Sequence, residues 1–283
     1  MLFLERGDKL PTVAAMQSLL NARIGNSLRV DGDYGPITEM AVKNFQQMTG
    51  CSGPSGKVDN LTWFRLNRSA NLTVVDTVDI CDPGMMEGLE NVRNFNKNIM
   101  ATDSMSSAVV LGCMSNAVED IVKQITTQNS AKSIVLLRFD GHGNVAVQGV
   151  GIGHGVDDII PNAPDKLSKE QDLVSLLAHK YSSISGGKKG LKYVKEFIKR
   201  LKPLFSSYGS IEFHGCQIAK EAEGRRFLHE ISDITGVPVT ASVVEQFKVK
   251  MHRFFGPYVT ACPGGKDLGR WAASRPVMHM SLP

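Results

Sequence analysis

The chain has 283 residues, 42% of them hydrophobic and 21% charged, with a net charge of +4. That length suggests about two domains at roughly 150 residues each, and the composition is that of a chain able to bury cores. No stretch reaches the roughly 18 apolar residues of a membrane span, and the scattered Lys and Arg residues argue against nucleic acid as a partner.

From the amino end, Val13, Met16, Gln17, Leu19 and Leu20 predict a short amphipathic helix. Val30-Asp31-Gly32-Asp33-Tyr34-Gly35-Pro36 reads as a turn-rich loop, after which Thr38 is expected to cap a second helix carrying Met40, Ala41, Val42 and Phe45. A Gly/Ser/Pro loop from Cys51 to Gly56 leads to Val58-Asp59-Asn60-Leu61-Thr62-Trp63, the start of a third helix. Residues 1–68 thus form a small three-helix unit, 69–74 a linker, and 75–283 a second domain.

The second domain alternates. Thr73 to Ile80 predicts a strand and Met85 to Phe95 a helix. Met114, Val118, Ile121, Val122 and Ile125 share one helical face, and Ser133 to Phe139 reads as a strand. Val145 to Ile152 predicts a second strand or a hairpin, and Ser168 with Gln171 forms a capping box for a helix through Ala178. Leu191 to Leu201 is a helix, Ser210 to Phe213 a strand, Ala222 to Ile234 a helix and Val237 to Ala241 a strand. This rhythm predicts an α/β fold with a mainly parallel sheet flanked by helices.

Two strands stop at a glycine beside a reactive side chain. Ile134 to Phe139 runs into Asp140-Gly141-His142-Gly143, and Ser210 to Phe213 into His214-Gly215-Cys216. Chemistry in an open α/β sheet sits at the carboxyl ends of strands. Adjacent, parallel strands would therefore bring an imidazole and a thiol into one crevice, as nucleophilic thiolate chemistry needs.

The amino-terminal unit resembles the three-helix peptidoglycan-binding domain. The resemblance rests on Met16-Gln17, on Val30-Asp31-Gly32-Asp33-Tyr34-Gly35 with Thr38, Ala41, Val42, Phe45 and Gln46, and on Gly56, Val58, Asp59, Thr62 and Trp63. It implies peptidoglycan as a partner, with Asp31, Asp33, Tyr34 and Gln46 as candidate binding residues. Most of these motif residues are expected to serve the fold.

The second domain resembles the caspase-like cysteine peptidases (the caspase, gingipain and clostripain group), and most nearly an uncharacterised bacterial domain found at the head of giant surface adhesins. The likeness rests on the His-Gly and Gly-Cys strand ends and on the tail Gly224, Phe227, Leu228, Ile231, Thr235-Gly236, Val239 and Ala241-Ser242. It implies His142 as general base and acid, Cys216 as nucleophile, and the Gly143 and Cys216 N–H groups as an oxyanion hole. Asp140 departs from the family pattern, and either reshapes the site or orients an imidazole.

The expected function is cell-wall-targeted hydrolysis of amide bonds, in protein or in a peptidoglycan stem peptide, without a cofactor. A zinc-dependent hydrolase and a non-catalytic wall-binding adaptor are the alternatives. His142, His154, His214 and Cys216 have zinc-ligand chemistry, but no short zinc spacing such as HExxH is present, so no metal is assigned. The Gly-rich segment Gln148 to Asp158, with His154, and the turn Ala261 to Lys266 are candidate cleft walls. The other cysteines, Cys51, Cys81, Cys113 and Cys262, are expected to be structural. The start Met1 to Asp8 lacks the pattern of a Sec signal, so the expected route is synthesis in the cytoplasm followed by non-Sec export or lysis.

Overall fold

The computed structural model describes residues 2–25, 27–51, 53–79, 106–111, 117–140, 143–144, 147–149, 183–185, 190–246 and 253–278. Pro11 opens helix α1 (Pro11–Ile24) at a position whose N–H has no partner within the helix. Residues from Pro11 to Leu20 are all buried, so α1 is enclosed on every side rather than amphipathic. It packs against α2 (Pro36–Thr49), α3 (Asn60–Asn67) and a strand of the central sheet. Pro36 likewise opens α2, with Gly35 at the N-cap and no side-chain cap. Thr38 is therefore not the cap. It lies in the first turn, where its hydroxyl accepts a hydrogen bond from Gln17 Nε2 at 3.2 Å. Asp59 caps α3 by accepting from the Thr62 N–H at 2.8 Å.

Beyond α3, Asn67 fixes the exit of the chain by donating to the Leu72 carbonyl at 2.6 Å and accepting from the Leu72 N–H at 3.0 Å. The following elements are β1 (Thr73–Asp79), β2 (Ser106–Leu111), α4 (Ala117–Gln128) and β3 (Ile134–Asp140). Three short strands come next, β4 (Gly143–Asn144), β5 (Val147–Gly149) and β6 (Ser183–Ser185), paired antiparallel in a sheet of their own. Then follow α5 (Gly190–Lys199), β7 (Phe205–Phe213), α6 (Ala222–Thr235), β8 (Val239–Ser242), β9 (Tyr258–Ala261) and α7 (Leu268–Ala273).

The central sheet has six strands in the order β2-β1-β3-β7-β8-β9, all parallel except β9 at the edge. The expected α/β class, amino-terminal helices followed by a mainly parallel, helix-flanked sheet, is what the chain adopts. Sequence reading did not assign β2, β9 or α7, and β7 begins at Phe205 rather than Ser210. The helices expected at Met85 to Phe95 and Ser168 to Ala178 lie outside the described residues.

Alternation along each strand divides the core in two. Val75, Leu137, Phe139, Ile211 and Phe213 face the buried sides of α4, α5 and α6, including Val118, Ile121, Val122 and Ile125 of α4. Val74, Leu136 and Tyr208 face the other way and share one cluster with Val13, Met16, Leu19, Leu20 and Trp271. The amino-terminal helices are therefore the second cover of the sheet, which is why α1 shows no exposed stripe.

Between the apolar positions on that second face runs a polar row. Register places Asp76 beside Arg138, Arg138 beside Glu212, Glu212 beside Thr240, and Thr240 beside Thr260. Arg138 donates to Asp76 at 3.0 Å and to Glu212 at 3.2 Å, and all three side chains are almost fully buried. The Thr240 and Thr260 hydroxyls meet at 2.8 Å. Buried ions need partners of this kind, because a charge removed from water unpaired costs several kcal/mol.

Candidate functional site

Cys216 stands on a turn at the carboxyl end of β7. The His214 N–H still pairs with Phe139 O at 3.0 Å, so β7 stays tied to β3 one residue beyond its end. The chain then turns sharply. Gln217 adopts φ 54°, a left-handed conformation uncommon outside glycine. Two backbone bonds hold it there, Gln217 N–H to Val244 O and Ala219 N–H to Ser242 O, both 2.9 Å. Gly224, in the first turn of α6, packs directly on this turn: a Cβ there would lie 1.9 Å from Ile218 O.

The thiol is half-buried. Its sulfur accepts from the Gln246 N–H at 3.3 Å and lies 3.7 Å from the Gln246 carbonyl oxygen. The Gln246 side chain fixes this arrangement, donating to Ser242 Oγ at 2.6 Å and Phe255 O at 2.9 Å while accepting from the Phe255 N–H at 2.9 Å. Gln246 was not foreseen, and no local pattern announces it.

His214 is engaged elsewhere. Its Nε2 lies 3.0 Å from Glu212 Oε2, and its ring stacks on Phe254 with centroids 4.4 Å apart. For Glu212, burial alone would raise the carboxyl, but the hydrogen bond with His214 and the charge of Arg138 outweigh it and hold the group below its ordinary value. Sequence reasoning missed Glu212, Arg138 and Asp76. The signal was there: each is a charge flanked on both sides within its strand, Asp76 by Val75 and Thr77, Arg138 by Leu137 and Phe139, and Glu212 by Ile211 and Phe213.

The strands leading to His142 and Cys216, β3 and β7, are adjacent and parallel. His142 and His154 lie outside the described residues, and so does the separation of imidazole and sulfur. Gly143 pairs with Gln148 in the small sheet, and Asp140 is the last residue of β3. The turn at Ala261 to Lys266 does not wall this crevice. β9 runs antiparallel, so its end returns to the start of β8, and Gly264 N–H donates to Asp233 Oδ1 near the end of α6 at 2.8 Å. That is the opposite end of the sheet from Cys216.

Among the amino-terminal candidates, Tyr34 is fully buried, with its hydroxyl donating to Gly56 O at 2.8 Å. Gln46 is also buried, donating to Lys57 O at 2.7 Å and Thr62 Oγ1 at 3.0 Å and accepting from the Gly56 N–H at 2.9 Å. Gln17 organises the motif loop, donating to Asp31 Oδ1 and Asp33 O, both 3.0 Å, and accepting from the Gly32 N–H at 2.9 Å. Gly32, at φ 78°, passes so close to α7 that a Cβ would sit 2.8 Å from Leu268 Cδ2. Asp33 faces outward and pairs with Lys9 at 2.8 Å. Asp31 and Asp33 line a cleft of about 360 Å³ with Tyr258, Thr260 and Asp267.

Residues 9–66, which carry α1, α2 and nearly all of α3, match the peptidoglycan binding domain family. Residues 183–246, which carry β7, the Cys216 turn and β8, match a domain of unknown function (DUF4347). Neither match is to a caspase-like peptidase. No curated protein and no solved structure matches the chain. Among the described residues, no helix is long and apolar enough to cross a membrane.

Proposed function

We propose that the chain is a cell-wall-directed cysteine hydrolase acting on amide bonds, in a peptidoglycan stem peptide or in a protein held at the wall. The observation that carries this reading is the parallel pairing of β3 with β7, since those strands lead to His142 and Cys216. The strained Gln217 turn and the Gln246 N–H on the sulfur add to it, because a nucleophile must be held in place. In the proposed cycle Cys216 Sγ attacks the amide carbon, and the oxyanion is received by N–H groups including those of Gly143 and Cys216. His142 gives a proton to the departing amine, leaving a thioester, and water then releases the acid and restores the thiol.

The test is to digest purified sacculi and wall-associated protein with the chain and measure new amino groups. Cys216→Ala and His142→Ala should each abolish the release while co-sedimentation with sacculi persists. Full activity in Cys216→Ala would sink the thiol mechanism. Retained activity that chelators abolish would favour zinc chemistry instead.

A further inference from the structure

One short segment, residues 253–258, reaches both the amino-terminal unit and the surroundings of Cys216. On the first side Arg253 donates to Glu5 and, at 2.8 Å, to Asp8 Oδ1, while the Tyr258 hydroxyl accepts from the Lys9 N–H at 2.9 Å. Both carboxylates are fixed within their own unit. Glu5 pairs with Lys57 at 2.7 Å, and Asp8 Oδ2 accepts from the Glu5 N–H at 2.8 Å. Arg253 and Glu5 are each 28% exposed and Asp8 11%, so these charge-assisted bonds are partly shielded from the water that weakens open surface pairs.

The other side of the segment meets the cysteine. Phe254 stacks on His214, two residues before Cys216. Phe255 exchanges two hydrogen bonds of 2.9 Å with the Gln246 side-chain amide, its N–H donating to Oε1 and its carbonyl accepting from Nε2. Gly256 passes so close to residue 244 that a Cβ there would lie 2.9 Å from Val244 Cγ2. The Gln246 backbone then lies on Cys216 Sγ, its nitrogen at 3.3 Å and its oxygen at 3.7 Å. Contacts thus run unbroken from Glu5 and Asp8 through Arg253, Phe255 and Gln246 to the sulfur. A contiguous series of this kind is what carries energetic coupling between separate parts of a chain.

We infer that Arg253 is a positioning residue for Cys216: gripped by Glu5 and Asp8 of the amino-terminal unit, it keeps the Gln246 backbone seated on the sulfur. The amino-terminal unit is then part of the thiol's support. The catalytic meaning of this seat rests on the hydrolase reading proposed above, whereas the coupling itself does not.

The test is iodoacetamide labelling of the full chain under mildly alkaline conditions, with each cysteine followed by peptide mass spectrometry. Arg253→Gln loses the charge and the fork of donors. It should raise the Cys216 labelling rate at least about threefold, the scale of losing a hydrogen bond that keeps the sulfur covered. Half-buried Cys51, in the amino-terminal unit, should label at the parent rate, and buried Cys262 should stay protected if the fold is intact. Glu5→Gln combined with Asp8→Asn breaks the same bridge from the other unit. It should give the same rise, and provides the test if Arg253→Gln uncovers Cys262. In a Gln246→Ala background Arg253→Gln should add nothing, because its effect passes through Gln246. Release of amino groups from sacculi separates the two readings. Faster labelling in the bridge variants with full release by Cys216→Ala removes the hydrolase and leaves the coupling. Parent-like labelling in both bridge variants, with release lost in Cys216→Ala, removes the coupling and leaves the hydrolase. Unchanged or slower Cys216 labelling, or an undiminished effect of Arg253→Gln in the Gln246→Ala background, overturns the inference.

Discussion

Gly224→Ala is the sharpest probe of how the Cys216 turn is built. The added Cβ would lie 1.9 Å from Ile218 O, where ordinary contact begins at 3.4 Å, so the two backbones must separate by about 1.5 Å. Overpacking of this kind costs about 1–3 kcal/mol. The carbonyl cannot retreat freely, because the turn is tied to β8 by the Ala219 bond and to the segment after β8 by the Gln217 bond. Losing one of them adds about 1 kcal/mol, and alanine's helix preference returns at most about the same. A net loss of about 2 kcal/mol should lower the thermal midpoint by roughly 4–8 °C in a chain of this size. Gly269→Ala is the matched control, also a first-turn helix glycine, with its new Cβ in ordinary contact 3.4 Å from Asp267 Oδ1. It should be neutral or slightly stabilising. Scanning calorimetry gives the midpoints, and iodoacetamide labelling read by mass spectrometry reports whether Cys216 reactivity changes in Gly224→Ala alone. If Gly224→Ala melts within about 2 °C of the parent, the close approach of α6 to the turn is refuted.

Arg138→Met keeps the side chain's length but removes the guanidinium that Asp76 and Glu212 share, and should cost about 3–5 kcal/mol in urea unfolding. A loss below about 1 kcal/mol would mean the row is solvated. Glu212, held below its ordinary 4.5, contributes stability that is complete above that value and fades as pH falls through the lower folded value. The stability gap between the parent and Glu212→Gln should therefore be widest at pH 7 and shrink progressively as pH falls below 4.5, and a gap that does not shrink would contradict the assignment. Burial pushes the Cys262 thiol up to about 12, so at pH 8 it should resist alkylation in the folded chain and react promptly in urea. Rapid labelling without denaturant would show that its site is open.

Elements with a strong period were legible. Val118, Ile121, Val122 and Ile125 point one way because a helix repeats every 3.6 residues, and Ile134 to Leu137 is an unbroken apolar run because a central parallel strand is covered on both faces. What failed was anything decided by a distant partner. Val13 and Leu20 look like one face of an exposed helix until the sheet closes over the other. The motif marks Tyr34 and Gln46 without indicating direction, and both point inward to Gly56. Gln246, Arg253 and Phe254 reach the site from a loop after β8, with no spacing that relates them to Cys216 or His214. The short β9 and its antiparallel return, which carry the turn at Ala261 away from the crevice, likewise have no local signature.

The shared core between α1 and the sheet has a mechanical consequence. A binding unit on a slack tether lets its partner domain sweep a volume whose radius grows with the tether. Here Asn67 clamps the connection from α3 to β1, and Val74, Leu136 and Tyr208 lie in one apolar cluster with Val13 and Met16. When the helices hold wall polymer, the sheet is carried at a fixed offset and attitude to the strand they grip. On the proposed hydrolase reading, the bonds within its reach would form a single ring around that strand rather than a roaming sphere, and moving along the wall would require the helices to let go.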